Sequence, residues 1–208
     1  MYLNRNIIDL ENGSYSFSDY FKMNINAKDL AQLFGYKFCI DKVEFKQDIL
    51  SDDLNKFIKD FEKNFNKIKT KINLNSEIAK REFLVSPIIY ELVKSIDIDV
   101  DIEANTYFDK TLRGSIDYVL NNNNNILIAI EAKNSEIEKG ISQLVSELIA
   151  IDKIIESSDK PIYGAVTIGY SWCFLVLDRK NKEITQHIDY IYIKELEKII
   201  KILVGILK

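Results

Sequence analysis

Gly114-Ser115-Ile116-Asp117-Tyr118-Val119-Leu120, five asparagines at 121–125, and Ile126-Leu127-Ile128-Ala129-Ile130-Glu131-Ala132-Lys133 form one continuous stretch from which the fold is read. Residues 116–120 predict a strand. The asparagines predict a hairpin turn, because Asn tolerates left-handed backbone conformations. The unbroken apolar run 126–130 predicts a central strand covered on both faces. Asp117 then lies near the start of one strand and Glu131 near the end of the next, with thirteen residues between them. Alternate side chains of a strand share a face. Glu131 and Lys133 therefore point the same way, and a suitable register lets Asp117 join them at the rim of the sheet.

Two carboxylates and an ammonium so placed can hold a divalent cation and activate a water beside a phosphodiester. Mg²⁺ or Mn²⁺ acidifies water and acts as a Lewis acid, and it needs only one or two carboxylates besides water and phosphate. The backbone carbonyl of Ala132 is within reach of such an ion. Lys133 can orient the attacking water or stabilise charge on phosphate. The competing reading is a rim salt-bridge network, which contributes little energy.

Working outward, Gly140 opens a helix over 140–156 with Ile141, Leu144, Val145, Leu148, Ile149, Ile151 and Ile155 apolar. Strands are expected over 164–168 and 172–177, and a final helix from Ile193 to the end. That helix carries Leu196, Ile199, Ile200, Leu203, Val204 and Leu207, which predicts either core packing or a homodimer face. Upstream, Asn75-Ser76 caps a helix to about Ser95, kinked or broken at Pro87. A strand over 98–107 should turn Ile98, Val100, Ile102 and Ala104 to one face and Asp99, Asp101 and Glu103 to solvent. From Asn75 on, the order is helix, three strands, helix, two strands, helix: an α/β fold with a central mixed sheet of about five strands flanked by helices.

Residues 1–74 read as an N-terminal helical and strand extension packed on a core of 75–208. A short helix over 26–34 stops at Gly35, and 37–40 and 43–45 are candidate strands. A helix over 51–69 starts at Ser51 or Asp52. Its residues Lys56, Lys59, Lys63 and Lys67 form a stripe that is either a solvated face or a contact surface for a phosphate backbone.

The net charge of -4 gives no overall attraction to nucleic acid, so positive charge must be local. The single histidine, His187, is expected at the surface and disfavours chemistry built on several histidines. Cys39 and Cys173 predict two buried thiols rather than a disulfide. No apolar run approaches the ~20 residues that span a bilayer. A soluble cytoplasmic protein with no membrane partner is expected. Trp172 and Phe174 read as core residues rather than base-stacking ones.

Asp117 and Glu131-Ala132-Lys133 resemble the PD-(D/E)XK superfamily of nucleases, whose restriction-endonuclease-like core has the same element order. Glu77-Ile78-Ala79-Lys80-Arg81-Glu82-Phe83-Leu84-Val85-Ser86-Pro87, Gly114, Gln143 and Gly169-Tyr170-Ser171-Trp172-Cys173-Phe174 are similar to the nuclease domain of type I restriction enzyme motor subunits. The resemblance implies Asp117 and Glu131 as metal ligands and Lys133 as the positioning cation. It implies Glu77, with Glu82 as second choice, as a helix carboxylate assisting metal or water, and Gln143 as a hydrogen-bonding partner of lysine, water or phosphate. Ile116 stands where the family name has proline, and no phosphate-cradling Gly-Lys-Thr loop accompanies the site, so translocation is excluded. The expected function is a divalent-metal-dependent endonuclease, DNA being favoured over RNA. The alternative is an inactive nuclease-fold module for nucleic-acid binding or assembly.

Overall fold

Asn26, Ser51 and Ser76 each accept a hydrogen bond from the backbone N–H three residues on, and a helix follows each of them. The computed structural model describes residues 8–122, 126–131, 136–155 and 159–208, with backbone alone for 126–131. After α1 (Phe17–Lys22), these caps start α2 (Ala27–Leu33), α3 (Asp52–Lys71) and α4 (Glu77–Lys80). The break expected near Pro87 is a π-helical turn, Arg81–Val85, between α4 and α5 (Ser86–Ser95). A proline ring crowds the carbonyl one turn before it, and the wider π turn gives that carbonyl room.

The strands are β1 (Lys37–Asp41), β2 (Asp99–Tyr107), β3 (Arg113–Asn121) and β4 (Ile126–Glu131), followed by α6 (Ile137–Ile154). Then come β5 (Ile162–Thr167), β6 (Ser171–Asp178), β7 (Glu183–His187), β8 (Ile191–Tyr192) and α7 (Leu196–Leu207). Among the described residues they form one mixed sheet of eight strands, ordered β1-β7-β6-β5-β4-β3-β2, with β8 pairing the start of β6. The β1/β7 and β4/β5 pairs are parallel and the rest antiparallel. The strands foreseen as the core, β2 to β6, lie side by side, and β1, β7 and β8 extend them at one edge. Through β1, the N-terminal extension thus shares the sheet of the rest.

Two apolar clusters sandwich the sheet. One joins α3, α5 and α7 to Ala165, Trp172 and Phe174. The other joins α1, α2 and α6 to Val166, Cys173, Leu175 and Leu177. The alternation of Trp172, Cys173 and Phe174 between clusters is the period-two pattern of a strand buried on both sides. Trp172 and Phe174 are core residues, as expected. The apolar residues of α7 are consumed by packing within the chain, so they offer no dimer face.

Four details differ from the reading of the sequence. His187 is buried, because the backbone N–H of Val43 donates to its Nδ1 at 3.0 Å and Phe45 packs edge-on against it. Residues 43–45 accordingly form this contact and are not a strand. Ile102 is exposed, because β2 is the sheet's edge; Asp99, Asp101 and Glu103 are exposed as expected. Cys39 is only half-buried, beside Thr185, whereas Cys173 is fully buried; both are free thiols.

Burial pushes the Cys173 thiol up to about 12, with the charge of Glu138 adding to the rise. The thiolate is the reactive form. A thiol reagent at neutral pH is therefore expected to titrate only Cys39 in the native protein and both thiols after denaturation. Rapid native labelling of both would contradict this packing.

Candidate active site at the end of the central strands

Asp117 sits where the regular alternation of β3 fails. Ile116 and Tyr118, two residues apart, bury in opposite clusters, Ile116 against the α6 side and Tyr118 against the α5 side. Across on β2, the residue facing Asp117 in register is Glu103. That pair is missing from an otherwise continuous ladder, and Glu103 has a left-handed φ of +52°. For a non-glycine residue this conformation is costly, and such strain clusters at functional sites. Glu103 is also tied to Arg81 of the π turn, Oε1 to Nη1 at 3.5 Å.

The β3/β4 ladder runs from Asn121↔Ile126 to Tyr118↔Ala129 and ends there. Continued, it would set Asp117 beside Ile130, one residue short of Glu131. Pairing alone therefore does not bring the two acids to one face, as a regular register was expected to do. The departure of β3 from regularity at Asp117 is what leaves that residue free of the alternation. Glu131 ends β4, paired in parallel with Thr167 at the end of β5. The side chain of Glu131, and Ala132 and Lys133 entirely, lie outside the described residues.

From the α6 side, the structure adds a carboxylate that the sequence did not reveal. Glu147 is fully buried, 0% exposed. Gln143, one helical turn earlier, donates from Nε2 to Glu147 Oε1 at 2.9 Å. The other oxygen, Oε2, is buried with no hydrogen-bond partner among the described residues. Burial pushes the Glu147 carboxyl well above the usual carboxylate range; the Gln143 bond opposes this and the nearby charge of Asp117 adds to it. Glu147 lies on one helical stripe with Leu144 and Ile151, both core residues. An acid on an apolar helix face was the available signal. Gln143, expected to serve lysine, water or phosphate, is held by this carboxyl.

On the opposite face, the helical segment with Glu77 leans over the same region. Ser86 Oγ and the Tyr118 hydroxyl hydrogen-bond at 3.0 Å. Gly169, in the turn after β5, has φ +82°, and a Cβ there would stand 2.9 Å from Leu84 and 3.2 Å from Lys80. That close approach sets α4 against the turn adjoining the end of β4. Glu77 is the half-buried first residue of α4, while Glu82 is exposed. Gly114, at φ +145°, lets β3 begin over the Phe17 ring.

The α3 stripe Lys56, Lys59, Lys63 and Lys67 is exposed. The helix's C-terminal end reaches the same turn: the rings of Phe65 and Tyr170 meet edge-on at 6.4 Å, and Lys69 and Lys80 each lie 6.0 Å from the Tyr170 ring centre. The stripe itself leads away from that turn for about 17 Å along the helix.

Hard oxygen donors suit a divalent cation, and the Glu147 oxygen that is buried without a hydrogen-bond partner among the described residues fits one. Among the described residues, which exclude the Glu131 side chain, no three His, Cys, Asp or Glu groups converge on one point. No protein-family model and no curated protein matches the chain. Among the described residues, no helix is long and apolar enough to cross a membrane.

Proposed function

We propose that the chain is a divalent-metal-dependent endonuclease that hydrolyses phosphodiesters, with DNA as its substrate. The observation that carries this reading is the placement of Asp117. It stands at an interruption of the β2/β3 ladder, where the pairing of β3 with β4 ends, and its charge acts on the buried carboxyl of Glu147. Asp117, Glu131 and the carbonyl of Ala132 would hold Mg²⁺ or Mn²⁺. The bound ion would supply acidified water and Lewis acidity toward phosphate. Lys133 would fix the water or the phosphate through its ammonium, and Glu77 would approach the same water from α4. Gln143 keeps its carbonyl oxygen for hydrogen bonding once its amide is committed to Glu147. The lysines of α3 would meet the nucleic-acid backbone away from the cut.

Incubation with single- and double-stranded DNA and RNA, with Mg²⁺, Mn²⁺ or EDTA, tests the reading. Metal-dependent cleavage of DNA is expected. Salt-sensitive binding with no cleavage in either metal would replace the enzyme with a nucleic-acid-binding module.

A further inference from the structure

We propose that Glu147, on α6, is a further carboxylate ligand of the cation site to which Asp117 is assigned above. This rests on the metal-dependent reading above and adds a ligand to it. A Leu at this position would pack against Leu144 and Ile151 without penalty, whereas a carboxyl buried there needs partners for both oxygens. Among the described residues only Oε1 has one, the Gln143 amide at 2.9 Å. That bond fixes the carboxyl plane and leaves Oε2 with a lone pair to give. Among the described residues, the charge of Asp117 acts on Glu147. The half-buried Asp117 carboxylate adds to the cost of charging the fully buried Glu147, and a divalent cation between the two would turn that repulsion into attraction. Gln143 is then a positioning residue, orienting a ligand from one helical turn away as an outer-shell hydrogen bond does in metal sites.

The test is Mn²⁺ binding to the intact protein, followed by electron paramagnetic resonance of the free ion, without nucleic acid. Glu147→Gln keeps the volume and can still bond Gln143, so circular dichroism and cooperative unfolding should match wild type. One Mn²⁺ site is expected in wild type, lost in Asp117→Asn and weakened roughly ten- to hundred-fold in Glu147→Gln. Wild-type affinity in Glu147→Gln alongside loss in Asp117→Asn would overturn the role of Glu147 and leave the metal reading standing. Absence of any Mn²⁺ site in wild type would overturn both.

Discussion

Replacing Asp117 with Asn is expected to abolish metal-dependent cleavage, by at least roughly 10³-fold, the order seen when a charge-stabilising group is removed from a reaction centre. The amide has the shape of the carboxyl but not its charge, so it withdraws the proposed cation ligand without opening a cavity. Asp117 is half-buried at a point where the ladder is already interrupted. The substitution leaves the backbone pairing of β3 as it is, so the variant should stay folded, which circular dichroism checks. Lys133→Ala should lose activity on a similar scale while leaving Mn²⁺ binding in place, since its role is to position water or phosphate. Full cleavage by either variant would remove the proposed site.

The largest expected effect on stability lies elsewhere, at the junction of α6 with the turn after β6. Arg179 Nε and Asp152 Oδ1 pair at 2.5 Å with their side chains only 8% and 11% exposed. The Tyr36 hydroxyl donates to Asp152 Oδ2 at 2.5 Å, and Arg179 also donates to the carbonyl of Ile155. This network ties the segment between α2 and β1 to α6 and to the far end of β6. Arg179→Met strands a buried carboxylate and is expected to cost about 3–5 kcal/mol. Domains have only about 5–15 kcal/mol in total. The double variant Arg179→Met/Asp152→Leu replaces the pair by apolar groups and should recover most of the loss. Urea unfolding of both variants measures this. Equal destabilisation in single and double variants would show that the packing of Arg179, not its charge, holds the junction.

Much of the architecture was legible because its signals are local. Ser51 and Ser76 start helices by capping them, and Pro87 marks a break wherever the chain goes next. The apolar runs of β4, β5 and β6 are long enough to announce inner strands. What could not be read depends on contacts between distant segments. His187 is polar in isolation and becomes buried because residues 43–45 cross over it. β7, Glu183-Ile184-Thr185-Gln186-His187, carries mostly polar residues and is a strand because β6 and β1 flank it. At the candidate site, Asp117 stood out by residue type and spacing, and Gln143 through the resemblance to a family. The interruption of β3 at Asp117 did not, since periodicity assumes a regular strand. Glu147 was hidden for a related reason: an acid in a helix reads as solvent-facing, and only the packing of α6 on the sheet turns it inward.

Asp117 and Glu131 are proposed to grip one divalent cation at the end of the sheet. Diffraction from crystals of the protein soaked in Mn²⁺, collected for anomalous signal, tests it directly. The account predicts a single strong peak within about 2.0–2.6 Å of a carboxylate oxygen from each residue. Carboxylates of Asp117 and Glu131 on opposite faces of the sheet, with no ion between them, would contradict it.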